Sequence, residues 1–293
     1  MRVFDYCCGM GGLSYGFQKA GFEIEEGIDI NDAALKTYSK YIKAPVKNQD
    51  LSQYYPGRND FDCMIVSGPP CQGFSIANRK RNPYSKRSQL VLDLCRVIKA
   101  VQPRAFMVEN VPHLSRWAKV ALEDISGYKV TINNVNTSDY GVAQARKRVI
   151  ILGSKEKFIE LTPPPGIERH TVRDAIGTME KNWGFVKHRP ETIERFKKAT
   201  STKWISDTAS KYQGTIRLSW DNPSVGIGNL KKFRILHPEE NRVISLAEGL
   251  ALHGFPDWYI PEGTDTQIAQ QLADTVPPLL PFYIGKTIQQ TLH

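Results

Sequence analysis

Strand-like runs and helix-patterned stretches alternate through the first half of this 293-residue chain, and that alternation constrains its fold more than any other feature. Residues 2–6, 23–29, 64–68, 105–110, 129–136 and 148–153 read as strands. Between them, 12–20, 32–41, 88–101 and 115–125 read as helices. Parallel neighbours in a sheet need long crossover connections, and helices supply them. The expectation is an α/β fold with a doubly wound, mostly parallel sheet.

Pro163-Pro164-Pro165-Gly166 closes the alternating region. The stretch 161–238 loses the alternation, is rich in Lys, Arg, Trp and Tyr, and reads as a small domain or large insertion. Helical patterning returns at 245–252 and 266–273, and 279–292 is apolar and helix-like. Three segments follow: 1–160, 161–238, and 239–293, the last returning to the first. The length allows a large domain plus a smaller one. No apolar run reaches the roughly 18 residues of a membrane span, and a strand beginning at Arg2 leaves no room for a secretory signal. The five cysteines are odd in number and lack Cys-x-x-Cys spacing, so neither a disulfide framework nor a metal site is expected. A reducing, intracellular setting fits them. The net charge of +9 points to a polyanionic partner, and Arg79, Lys80, Arg81, Lys86 and Arg87 crowd one loop.

Ligands in open α/β sheets bind beyond the carboxyl ends of the strands, and the informative motifs fall there. Gly68-Pro69-Pro70-Cys71-Gln72-Gly73-Phe74-Ser75 follows a buried-strand run and sets a cysteine on a proline-stiffened turn, where a nucleophile for covalent catalysis would stand. Asp5-Tyr6-Cys7-Cys8-Gly9-Met10-Gly11-Gly12 joins the first strand to the first helix, and its glycines let a cofactor approach the backbone. The spacing is not Gly-x-Gly-x-x-Gly, which argues against a nicotinamide or flavin enzyme. Asp29 ends the second strand, where an acid meets ribose hydroxyls. Asp50 is placed to bond an adenine amino group. Glu109-Asn110-Val111 ends a neighbouring strand, and Gln144-Ala145-Arg146-Lys147-Arg148 enters another. Alternation sends Arg146 and Arg148 to one face, where they would hold an oxygen of a bound base and fix the glutamate.

With these motifs in this order the chain resembles the cytosine-carbon-5 DNA methyltransferases. The matching segments are 5–17, 29, 50, 68–75, 109–111, 139–148, 242–257 and 274–280, nearly the whole chain. The resemblance implies a sheet that binds S-adenosylmethionine and a target-recognition domain at 161–238. It implies that Cys71 adds to carbon 6 of a cytosine flipped out of double-stranded DNA. Glu109 would act at ring N3, Arg148 and Arg146 would hold the base oxygen and the glutamate, and Asn110 would orient the exocyclic amine. To the cofactor pocket it assigns Asp5, Cys7, Gly9, Met10, Gly12, Asp29, Ile30, Asp50, Leu51, Pro70, Leu90, Asp274 and Val276. Gln72, Ser75, Arg79, Arg81 and Arg87 would meet DNA beside the nucleophile. Gln213 and Arg217, with Trp183, Tyr212 and Trp220, are candidates for sequence recognition. A monomer acting in the cytoplasm or nucleoid (the nucleus in a eukaryote) is implied, and a cognate restriction endonuclease is a further partner the family raises.

Four positions depart from the family pattern. Cys7 replaces a usual phenylalanine, Ile30 a frequent tryptophan, Asp274 a usual asparagine and Ala247 a usual arginine. The first three keep open a different sulfonium cofactor, and the last puts the bracing of the recognition domain in question. Two further readings stay open: the same chemistry on RNA, and a catalytically silent DNA-binding or regulatory protein. The RNA branch carries Pro-Cys-Gln-Pro-Phe-Thr where this chain has Pro70-Cys71-Gln72-Gly73-Phe74-Ser75. Trapping on DNA containing 5-fluorocytosine separates an active nucleophile from a silent one.

Overall fold

The computed structural model describes residues 1–56, 62–70, 86–114, 116–201 and 214–292. The first half follows the expected alternation: β1 (Arg2–Tyr6), α1 (Gly12–Ala20), β2 (Glu23–Asp29), α2 (Asp32–Tyr41), β3 (Val46–Asn48), β4 (Cys63–Ser67), α3 (Lys86–Val101), β5 (Ala105–Asn110), α4 (Arg116–Glu123), β6 (Lys129–Asn136), β7 (Gln144–Ala145) and β8 (Lys147–Ser154). Local chemistry fixes several ends. Asn31 caps α2 by accepting from the backbone N–H groups of Ala33 and Ala34. Gly11 and Gly21 bracket α1 in the left-handed conformation.

Seven strands form one sheet in the order β3-β2-β1-β4-β5-β8-β6. β8 alone runs antiparallel to its neighbours, β5 and β6. The short link from β6, through a 3₁₀ turn at Thr137–Tyr140, carries no crossover helix and so can only reverse direction. Every residue of β4 and β5 is buried, as strands covered on both faces require. Alternate residues feed two cores: Val3, Met64 and Met107 pack under α1, α2 and α9 (Leu279–Leu292), while Phe4, Ile65 and Phe106 pack under α3 and α4. The chain runs outward from β1 to β3, then returns to β4 on the other side of β1. That crossover opens a crevice at the carboxyl edge between β1 and β4.

The region 161–238 contains α5 (Val172–Ile176), α6 (Pro190–Phe196), β9 (Thr215–Arg217), β10 (Ser224–Val225) and β11 (Arg234–Leu236). It shares one core with α7 (Leu246–Leu252) and α8 (Asp265–Asp274): Val172, Ile216, Ile235, Leu246 and Leu272 belong to a single buried cluster. β10 also pairs with β7 in parallel. The bracing that Ala247 put in question is supplied by Arg242. Its guanidinium grips both oxygens of buried Glu248 at 2.7 Å, and Asn182 donates to the same carboxylate. Leu246 and Ala247 donate their N–H groups to the carbonyls of Gly184 and Trp183.

Candidate active site

The turn after β1 builds one wall of the crevice. Gly9 stands at φ +54°, and a Cβ there would have no atom within 4 Å, so the backbone lies open to a ligand. Asp29 holds the turn in place: its Oδ2 accepts from Gly9 N at 2.8 Å and its Oδ1 from Asn31 N at 2.9 Å. Gly12 has the opposite requirement, because a Cβ there would come within 2.2 Å of the Val276 carbonyl. The first turn of α1 therefore rests directly on the segment after α8.

Asp5 is wholly buried beneath this turn. One carboxylate oxygen accepts from Ser14 Oγ at 2.7 Å, and Ser14 also bonds the Tyr38 hydroxyl at 2.8 Å. The other oxygen has no hydrogen-bond partner. Burial pushes the Asp5 pKa up to about 7, against the pull of Ser14 and with a smaller push from Asp29. Burial, then the charge of Asp29, also raises the Cys7 thiol well above its ordinary pKa, the direction opposite to that which activates a nucleophilic cysteine.

The expected cofactor residues divide by what they offer. Ile30 is 66% exposed at the end of β2, an apolar surface beside the cradle. Asp50 follows β3 and caps a 3₁₀ turn at Leu51–Gln53 by accepting from Ser52 N. Pro70 and Leu90 are partly exposed. Met10, Leu51 and Val276 are core side chains, so these positions offer a ligand backbone and support rather than side-chain contact. Met10 O accepts from the Tyr259 hydroxyl, a contact between the cradle and the chain's last quarter that no local pattern announces. Asp274 ends α8 with an exposed carboxylate that accepts from Gln270 Nε2 at 2.7 Å. Protein crowded around it raises its pKa, Gln270 and Arg146 oppose the rise, and Asp29 adds to it.

On the other wall, β5 delivers Glu109 and Asn110. Glu109 is 7% exposed and pairs through Oε1 with Arg148 Nε of β8 at 2.7 Å. The contact is an ion pair without hydrogen-bond alignment, so Oε1 keeps unused acceptor capacity. Glu109 Oε2 faces Gly68 at the end of β4. Asn110 donates from Nδ2 to Pro69 O at 3.2 Å and accepts from Val111 N. It thus anchors Pro69, two residues before Cys71 in the sequence. Cys71 itself, Gln72, Ser75, Arg79, Arg81, Tyr212 and Gln213 lie outside the described residues, and Arg87 is placed on α3 by its backbone alone.

Two expected residues do something else. Arg146 does not join the pair of Glu109 and Arg148. Its side chain turns toward the insertion and donates to the carbonyls of Ile227 and Ala273. Arg217 spends all five N–H groups inside the protein, on the carbonyls of Phe196, Ala199, His237 and Glu240 and on Asn241 Oδ1. A guanidinium so engaged clamps the insertion and has no donor left for a base edge. Trp220 is similarly engaged, donating Nε1–H to Glu239. Among the described residues, no group of three or more His, Cys, Asp or Glu is placed to hold a metal, and no helix is long and apolar enough to cross a membrane.

The open backbone at Gly9 and the Glu109–Arg148 pair share one carboxyl edge of an α/β sheet, where proteins of this class bind their ligands. The sequence matches the C-5 cytosine-specific DNA methylase family over residues 1–290, and the chain belongs to that family. It is a DNA cytosine methyltransferase. The Type II methyltransferase M1.HphI of Haemophilus parahaemolyticus is 31% identical over 98% of this chain and 86% of its own. The Type II methylase M.HgiDII of Herpetosiphon aurantiacus is 29% identical over 99% of this chain and 96% of its own. The S. pombe Dnmt2 methyltransferase shares the fold, with a TM-score of 0.74 at 17% identity and 100% of both chains covered.

Proposed function

We propose that this enzyme methylates carbon 5 of a flipped-out cytosine in double-stranded DNA, with S-adenosylmethionine as donor and a transient bond from Cys71 to carbon 6. The observation that carries the reading is the Glu109–Arg148 pair, close to Asn110, which bonds the Pro69 carbonyl two residues ahead of Cys71 in the sequence. Glu109 keeps acceptor capacity for the amino group of a cytosine and for N3–H once the ring is protonated there, and Arg148 holds that carboxylate in orientation. Cys71 as thiolate adds to carbon 6, which moves electron density to carbon 5 and makes it nucleophilic. After carbon 5 gains its methyl group, a base removes the carbon-5 proton and the Cys71 sulfur leaves as the ring double bond re-forms.

The crevice suits the donor. The open backbone at Gly9, the exposed face of Ile30, and Asp29 and Asp50 match an adenosine and its ribose hydroxyls. The acids Asp29, Asp50 and Asp274 around it favour a cation. When bound, S-adenosylmethionine supplies an electrophilic methyl group on a sulfonium centre. The Type II names of the relatives favour a role beside a cognate restriction endonuclease, and one chain carrying every motif suits a monomer.

The test is nucleoside mass spectrometry on duplex DNA incubated with the protein and S-adenosylmethionine. A deoxycytidine heavier by one methylene, absent with Cys71→Ala, is the expected result. DNA left unmodified by the wild-type protein, with RNA modified instead, would overturn the reading.

A further inference from the structure

Two side chains, Gln144 in β7 and Arg146 just after it, grip one residue of the insertion from both sides. Gln144 Oε1 accepts from Ile227 N at 3.0 Å, and Arg146 Nη1 donates to Ile227 O at 3.2 Å. The same guanidinium reaches Ala273 O, from Nη1 at 3.4 Å and from Nη2 at 3.3 Å. Ala273 lies in the last turn of α8, where a cation is favoured by the exposed carbonyls and the helix dipole. Three residues further on, the Val276 carbonyl packs against Gly12 in the first turn of α1, where a Cβ would come within 2.2 Å of it.

Contacts therefore run from the insertion to the end of α8 through Ile227, Arg146 and Ala273, and the segment that follows α8 rests, at Val276, on the first turn of α1 beside the cofactor cradle. The pairing of Ser224 with Gln144 and Val225 with Ala145 keeps both ends of the clasp in register. Arg146 is buried and its backbone, between β7 and β8, is fixed, since Thr137 Oγ1 accepts from Arg146 N at 3.1 Å. One guanidinium thus ties the Ile227 carbonyl directly to that of Ala273.

We propose that Arg146 is a positioning residue that couples the seating of the insertion on DNA to the affinity of the cofactor crevice. The inference rests on the functional reading above, in which the insertion meets DNA and the crevice binds the sulfonium donor. Coupling of this kind is reciprocal: whatever DNA does to cofactor affinity, the cofactor does to DNA affinity.

The experiment is calorimetric titration of the full chain with S-adenosylhomocysteine, which cannot turn over. It is run alone and with unmethylated duplex DNA of several kilobases made by amplification. In the wild type, DNA is expected to tighten binding by about tenfold, within the usual range of coupling. Arg146→Lys keeps the charge and loses the planar fork that spans two carbonyls. Gln144→Leu frees Ile227 N and leaves Arg146 intact. Both are expected to bind S-adenosylhomocysteine alone within about twofold of wild type and to lose most of the gain from DNA. A residue that only braced the fold would weaken both titrations equally. That result, an undiminished gain in both variants, or no gain in the wild type would each overturn the inference. A wild-type protein that bound neither S-adenosylhomocysteine nor duplex DNA would instead overturn the functional reading.

Discussion

Glu109→Gln is the perturbation that most directly separates chemistry from structure at this site. The substitution keeps shape and acceptor oxygen while removing the charge opposite Arg148 and the group that can carry a proton at N3. At 2.7 Å and an effective dielectric near 20, the direct attraction is about 6 kcal/mol. Desolvation of both ions, with side-chain exposures of 16% and 9%, offsets most of that attraction. Arg148 also retains its bond to the Lys147 carbonyl at 2.7 Å, so the cation is not stranded. The expected stability loss is therefore about 1–3 kcal/mol, below the 3–5 kcal/mol typical of breaking a fully buried pair. The methylation rate should fall much further, by about 10²–10⁴-fold, the usual worth of a positioned acid or base. Denaturant unfolding gives the first quantity, and single-turnover methylation of duplex DNA gives the second. A Glu109→Gln enzyme that lost stability yet kept its single-turnover rate would show that the carboxylate is only a counter-ion for Arg148.

Three further outcomes are expected. The native state holds a proton on Asp5 that the unfolded chain releases between pH 3.8 and about 7, so stability is greatest below that window, falls as pH rises through it and is level above. The fall is on the order of 4 kcal/mol, and a difference curve against Asp5→Asn from denaturant unfolding across pH should isolate it; identical curves would refute it. Arg217→Ala should cost about 3 kcal/mol through five lost bonds to carbonyl oxygens while leaving the salt dependence of DNA binding unchanged. A salt slope reduced by about one would instead mark Arg217 as a phosphate contact. Asp274→Asn should weaken binding of the cationic donor about threefold and that of its neutral thioether product less, measured by calorimetry; equal affinities for both variants would remove Asp274 from cofactor discrimination.

The limits of sequence reading are clearest at particular residues. The bounds of β1, β2, β5, α1, α2 and α9 match the sequence expectation, because apolar period and capping residues such as Asn31 act within a few positions. The three short strands of the insertion escaped it, since two- and three-residue strands exist only through their pairing with distant partners. Arg148 met Glu109 as alternation implied. Arg146 did not, because its partners are carbonyls 81 and 127 residues away. Strand period gives the face a side chain leaves from, and a long flexible guanidinium then goes wherever buried carbonyls lack donors.

By itself the sequence determined the α/β alternation, the ligand edge and the identity of the groups gathered there, because each depends on local spacing and on the chemistry of single side chains. Tertiary structure alone decided how those groups are used. It buried Asp5 with one oxygen unpaired, turned Arg217 into a clamp, and set Arg146 between the insertion and α8. The physical reason is that donors, acceptors and charges are satisfied in three dimensions, by whichever partner the packed chain brings within about 3 Å.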